Sequence, residues 1–163
     1  MQLLFLLTMM AITFCDALQV STSVSVSTTT SLQAVVTPLP CERVTPEPCE
    51  LQTQERFNRF AYAFIYEKNL TKAFEYIAVD YINHNPFAQN GSAAALDILG
   101  PVWGNTTILP FRTRFKDNMG WLNYNASGIG EVVDRFRWEG GCIVEHWDVG
   151  ETYPPCGSPS DIS

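Results

Sequence analysis

The sequence predicts an α+β fold, on three observations. Residues 57–65 repeat apolar side chains at helical spacing, residues 108–149 alternate at strand spacing, and the texture switches once, near Thr106. The length of 163 residues allows one domain and leaves little room for two. Hydrophobic residues make up 46% and charged residues 17%, so the fold must rest on packing rather than on surface ion pairs.

Each element has a local signature. Phe57, Phe60, Ala61, Phe64 and Ile65 form one apolar helical face. Glu47 and Glu50 lie toward its start and Lys68 at its end, which suits the helix dipole. A helix from about Glu50 to Lys68 follows, with Asn69 as its stop. A second, shorter helix starts at Thr71 and buries Phe74, Ile77 and Ala78. Tyr81 to Pro86 is read as extended, because Pro86 biases Asn85 away from the helical region. Ser92 is expected to cap a third helix through Leu99, ended by Gly100-Pro101. Strands are predicted at Ile108–Lys116, Gly120–Ala126, Glu131–Trp138 and Cys142–Val149. The last two flank Glu139-Gly140-Gly141, a hairpin signal.

The N-terminus reads as an address. Leu3 to Phe14 is almost wholly apolar, too short to span a bilayer comfortably, and followed by Cys15 and Ala17 at the −3 and −1 positions of a cut after Ala17. Residues 1–17 are therefore expected to be a signal peptide. Nine of the eleven residues Ser21–Ser31 are Ser or Thr, and Pro38 and Pro40 follow. Residues 18–45 are read as a Ser/Thr/Pro-rich, O-glycosylated linker, 46–152 as the domain and 153–163 as a tail.

Four sequons, at Asn69, Asn90, Asn105 and Asn125, agree with secretion and should lie on exposed loops or strand ends. Removal of the signal peptide leaves Cys41, Cys49, Cys142 and Cys156, an even count that predicts two disulfides. Either Cys41 and Cys49 close a small loop, or both tie the entry segment to Cys142 and Cys156; the second is preferred because it staples both ends. A metal site is not expected, because there is no C-x-x-C. A net charge of −7 with only 10 Lys+Arg argues against nucleic acid and against anionic membrane surfaces.

Two stretches carry a resemblance. Asp80-Tyr81-Ile82-Asn83-His84-Asn85-Pro86 resembles the Y-I-x-H-N-P segment of SnoaL-like proteins. Val133–Arg137 with Gly140–Val149 resembles their D-x-F-R…G-x-I-x-E-H-W-D hairpin. SnoaL-like proteins belong to the nuclear transport factor 2-like superfamily, which also holds the ketosteroid isomerases. The resemblance covers about residues 50–150. It implies a cone-shaped α+β barrel, in which a curved antiparallel sheet wraps the N-terminal helices and leaves an apolar pocket. It does not settle function.

Which side chains face that pocket depends on the hairpin register. A three-residue loop pairs position 134 with 146 and puts Val132, Asp134, Phe136, Val144, His146 and Asp148 on one face. A two-residue Gly140-Gly141 turn pairs 134 with 147 and parts the two sets. The isomerase pattern favours the first. Asp134 then resembles the oxyanion-hole Asp of the isomerases, His146 is a general base or proton shuttle, and Asp148 orients it or acts as base. The isomerase base precedes Pro-Phe, where this chain has Asn85; Asn cannot take a proton, and His84 is the substitute. Neighbours on an extended segment point opposite ways, so only one of His84 and Asn85 faces the pocket. The epoxide-opening variant of the fold would need Arg112 or Arg114 to reach inward beside Asp148. A two-His, one-carboxylate metal site is not demanded by the spacing.

Two readings follow. One is a secreted, cofactor-independent lyase, cyclase or isomerase that moves protons on a small apolar carbonyl compound. The other is a non-catalytic extracellular pocket protein that binds hydrophobic small molecules. Either is expected to take an apolar small molecule, and the resemblance implies a homodimer through the outer sheet face, unless a glycan at Asn125 obstructs it.

Overall fold

A computed structural model describes residues 36–155. The expected signal peptide, the part of the expected linker up to residue 35, and Cys156 lie outside the described residues. Helix α1 spans Glu50–Ala61 and runs on into a π-helical turn, Tyr62–Tyr66. Gln52 Oε1 accepts the Cys49 N–H at 3.1 Å and satisfies one donor at the helix start. The π turn closes with Glu67 N–H on Tyr62 O. Lys68 then takes a φ of 54° and ends the helix, while the Asn69 side chain caps α2, Leu70–Phe74, through the Lys72 N–H at 3.1 Å. All five residues of the predicted apolar face are buried.

Among the described residues the strands are β1, Ile77–Asn83; β2, Ile108–Lys116; β3, Met119–Ala126; β4, Gly130–Glu139; and β5, Cys142–Trp147. They form one sheet in the order β1-β5-β4-β3-β2. The fold class is α+β, as predicted, but the sheet is mixed: β1 pairs parallel with β5, and the other pairs are antiparallel. The second helix therefore stops at Phe74, and Ile77 and Ala78 open a strand. Long-range bonds decide this: Ile143 N–H donates to Tyr76 O, and Cys41 N–H donates to Ile77 O.

Helix α3 spans Ser92–Trp103, so Gly100-Pro101 does not end it, and the N-cap is Gly91 rather than Ser92. Trp103 explains the extra turn. Its ring stacks on Phe64 at 4.4 Å and its Nε1 donates to Phe64 O at 2.9 Å, contacts that outweigh the bond Pro101 cannot make. Residues 36–45 lie against the fold. Cys41 bridges Ala78, Val44 N–H donates to Gly140 O, and Arg43 pairs with Asp80 at 2.9 Å, which holds the Asp80 carboxyl below its ordinary pKa. A disulfide joins Cys41 to Cys142, which rules out the Cys41–Cys49 loop.

The α1 face and the sheet share one aromatic core. Phe57, Phe60, Tyr76 and Phe115 surround the buried Trp138 ring at centroid distances of 6.2–6.3 Å. Gly120 on β3 makes the close approach of α1 feasible: a Cβ there would stand 2.5 Å from two carbons of the Phe57 ring. Phe57 is buried, in an interior packed closely enough to resist its displacement. Gly120→Ala is thus expected to cost about 1–3 kcal/mol. The test is a fall in the urea midpoint at unchanged m-value; an unchanged midpoint would mean that Phe57 moves freely.

The β4–β5 hairpin departs from the expected register. The turn is the two-residue Gly140-Gly141, with φ of 57° and 79°, the mirror-image turn that hairpins favour. Trp138 pairs with Ile143, but Phe136 pairs with His146, because a bulge falls between the two pairs. The bulge adds one residue on β5 and reverses the parity of everything after it. Asp134, Phe136, His146 and Asp148 thereby return to one side of the sheet. Val144 does not: it is buried with Ala78 and Cys142, away from the pocket for which it was predicted.

Candidate functional site

Between the helices and the sheet lies an apolar cavity of about 200 Å³. Phe60, Phe64, Phe74, Leu99 and Trp103 supply much of its wall, and Val132 and Phe136 line it from β4. The polar groups come from the ends of β1 and β5 and from the middle of β4. One ligand-capable atom from each of Asp134, His146 and Asp148 lies within 4.8 Å of the other two.

Asp134 is the most buried of the three. Its Oδ1 lies 2.9 Å from His146 Nε2, and its Oδ2 accepts the Tyr124 hydroxyl at 2.8 Å. Tyr124 comes from β3, where alternate residues Leu122, Tyr124 and Ala126 face the core. Burial pushes the Tyr124 phenol far up, and the charge of Asp134 adds to this, so the hydroxyl is a fixed donor. Burial likewise pushes up the Tyr81 phenol. The His146 imidazole stacks on Phe136 at 4.8 Å and on Tyr81 at 6.4 Å, one from each neighbouring strand.

The far edge of the imidazole meets β1. His146 Nδ1 lies 3.3 Å from Asn83 Oδ1. Asn85, two residues on, donates from Nδ2 to Asp148 Oδ2 at 2.7 Å, and Asp148 Oδ1 accepts the Val149 N–H at 2.7 Å. Asn85 lines the cavity. His84, its neighbour, points the other way, so its predicted catalytic role is withdrawn. The His84 ring stacks on Trp147 at 4.3 Å, and its Nε2 sits 2.8 Å from Glu145 Oε2. That contact, with help from Arg137, holds the Glu145 carboxyl below its ordinary pKa.

The isomerase-like base position is thus filled by Asn85, and the reason is local. A carboxylate at 85 would face the Asp148 carboxylate across 2.7 Å, whereas the amide donates to it. Neither Arg112 nor Arg114 lines the cavity. Arg112 bonds Asn123 at 3.0 Å and lies over Tyr153, and Arg114 bonds Pro155 O. An Arg between two Asp is therefore not assembled. Asp134, His146 and Asp148 could each offer one atom to a cation, but the atoms of Asp134 are already spent on His146 and Tyr124. Among the sequons, Asn90 and Asn105 are exposed and Asn69 and Asn125 are half-buried.

Sequence reasoning missed Tyr124, Tyr81 and Asn83. Tyr124 was visible as an inward position of a predicted strand. Asn83 was hidden because β1 was not read as a strand beside β5.

No family model matches the chain, and no curated protein does. Many solved structures share its fold. An NTF2-like protein of unknown function from Mesorhizobium loti is 19% identical, with a TM-score of 0.51 over 69% of this chain and 97% of that one. A candidate ketosteroid isomerase from Kribbella flavida is 15% identical, with a TM-score of 0.51 over 70% of this chain and 89% of that one. The chain has the NTF2-like fold. It is the fold that the hairpin and the Asp80–Pro86 segment imply.

Proposed function

We propose that this protein is a secreted, cofactor-independent isomerase, cyclase or lyase that moves protons on a small apolar carbonyl compound. The observation that carries the reading is the buried Asp134–His146 pair, 2.9 Å apart, facing an apolar cavity. A proton held between a carboxyl and an imidazole is available to a carbonyl oxygen placed against it. Asp148, whose oxygens both accept hydrogen bonds, takes the proton from the adjacent carbon. The enol then regains a proton at a different carbon, and the apolar walls keep water from the exchange.

Cavity size narrows the substrate. An apolar cavity of about 150 Å³ holds a benzene ring. About 200 Å³ therefore suits one ring with short substituents. Secretion is supported by the Cys41–Cys142 disulfide, the signal-like N-terminus and the four sequons. Among the described residues, no helix is long and apolar enough to cross a membrane.

The test is a native mass-spectrometry screen of the glycosylated protein against an extract of apolar metabolites, followed by incubation. A one-ring ligand that binds and returns altered, with the change lost in His146→Ala, supports the enzyme. A ligand that binds tightly and returns unchanged makes the protein a carrier and overturns the catalytic reading.

A further inference from the structure

The segment Asn83-His84-Asn85 runs parallel to His146-Trp147-Asp148 at a constant offset, with Asn83 the registered partner of His146. Each Asn meets the polar residue opposite it: Asn83 meets His146, and Asn85 meets Asp148. Both amides are also pinned by backbone donors. Asn83 Oδ1 accepts the Asn85 N–H at 3.1 Å, and Asn85 Oδ1 accepts the Phe87 N–H at 2.8 Å. These bonds fix which end of each amide is oxygen, and the alternative flips would set N–H against N–H. The backbone under Asn83 is held as well, since its N–H donates to Asn90 Oδ1 at 2.9 Å.

We infer that Asn83 and Asn85 are paired positioning residues, Asn83 fixing the tautomer of His146 and Asn85 fixing the rotamer of Asp148. Asn83 Oδ1 is an acceptor, so His146 Nδ1 must carry a hydrogen. Nε2 is then left toward Asp134, with one movable proton between them. Tyr124 donates to the other Asp134 oxygen and cannot take that proton. Without Asn83, a neutral His146 is free to carry its hydrogen on Nε2 and leave Nδ1 bare, which ties the proton to the ring. Asn85 acts in the same way one pleat on, holding Asp148 with both oxygens as acceptors. This inference rests on the reading of Asp134 and His146 as the reactive pair. It is tested without a substrate, so its failure and the failure of that reading are separable.

The chain contains only two His, which makes the tautomer directly readable. The experiment is ¹⁵N nuclear magnetic resonance of the full chain labelled at histidine, with the His146 signals assigned by their loss in His146→Ala. The expected result is a protonated Nδ1 in the wild type. In Asn83→Leu the protonated signal of neutral His146 is expected to move to Nε2. Asn83→Asp, which retains an acceptor oxygen, is expected to restore Nδ1–H. A wild-type His146 with bare Nδ1 and protonated Nε2 overturns the inference, whether or not the variants fold. So does a folded Asn83→Leu whose His146 signals match the wild type.

Discussion

Asp134→Asn is expected to lower kcat/KM for proton transfer by about 10²–10⁴-fold, the range of a lost general acid or base. It should do so with little change in melting temperature. The substituted amide is isosteric with the carboxyl and inherits its partners: its oxygen accepts from Tyr124, and its NH₂ donates to His146 Nε2. No buried group loses a partner, so the usual cost of an unsatisfied polar atom does not arise. What is lost is the movable proton, because an amide neither gives one up nor takes one. Activity and stability thus separate in this variant. A variant that unfolds would show that Asp134 serves the fold instead. A variant that turns over at the wild-type rate would remove Asp134 from the chemistry.

Replacing both Cys41 and Cys142 by Ala is expected to cost about 2–5 kcal/mol, the range found when a native disulfide is removed from a small secreted domain. The two half-cystines are separated by 101 residues, so the bond closes most of the domain into one loop in the unfolded chain. A loop of that length is worth about 4.7 kcal/mol in the chain-entropy account. The native state has little to gain from its removal. Cys142 is fully buried with Ala78 and Val144, and Cys41 anchors a segment whose backbone bonds reach both Ile77 and Gly140. Chemical denaturation of the double variant against the oxidised wild type measures the difference. A change below about 0.5 kcal/mol, the size of an ordinary surface substitution, would contradict it.

The legible parts of this fold were the ones set by local pattern. The α1 face from Phe57 to Ile65 follows from a 3.6-residue period, and β2 to β5 follow from alternation to within two residues at either end. What escaped was set by distant partners. Ile77 and Ala78 look helical beside Phe74, yet their backbone bonds come from residues 41 and 143. Gly100-Pro101 reads as a stop, and only the packing of Trp103 on Phe64 carries α3 past it. The hairpin is the most instructive element. The turn type was the one that parts Asp134 from His146, and a bulge near Val144 joined them again. Nothing in the local sequence marks that bulge. Asn83 and Asn85 became visible as a pair only once β1 was known to lie parallel to β5.

Proton transfer in the cavity is read from deuterium uptake. The full chain is incubated in D₂O with a panel of single-ring enolisable ketones, and loss of the α-proton signal is followed by nuclear magnetic resonance. Exchange faster than the uncatalysed rate is expected for the ketones that fit, with a return to that rate in Asp134→Asn. Ketones that bind the wild-type protein and exchange no faster than in buffer would contradict proton transfer in the cavity.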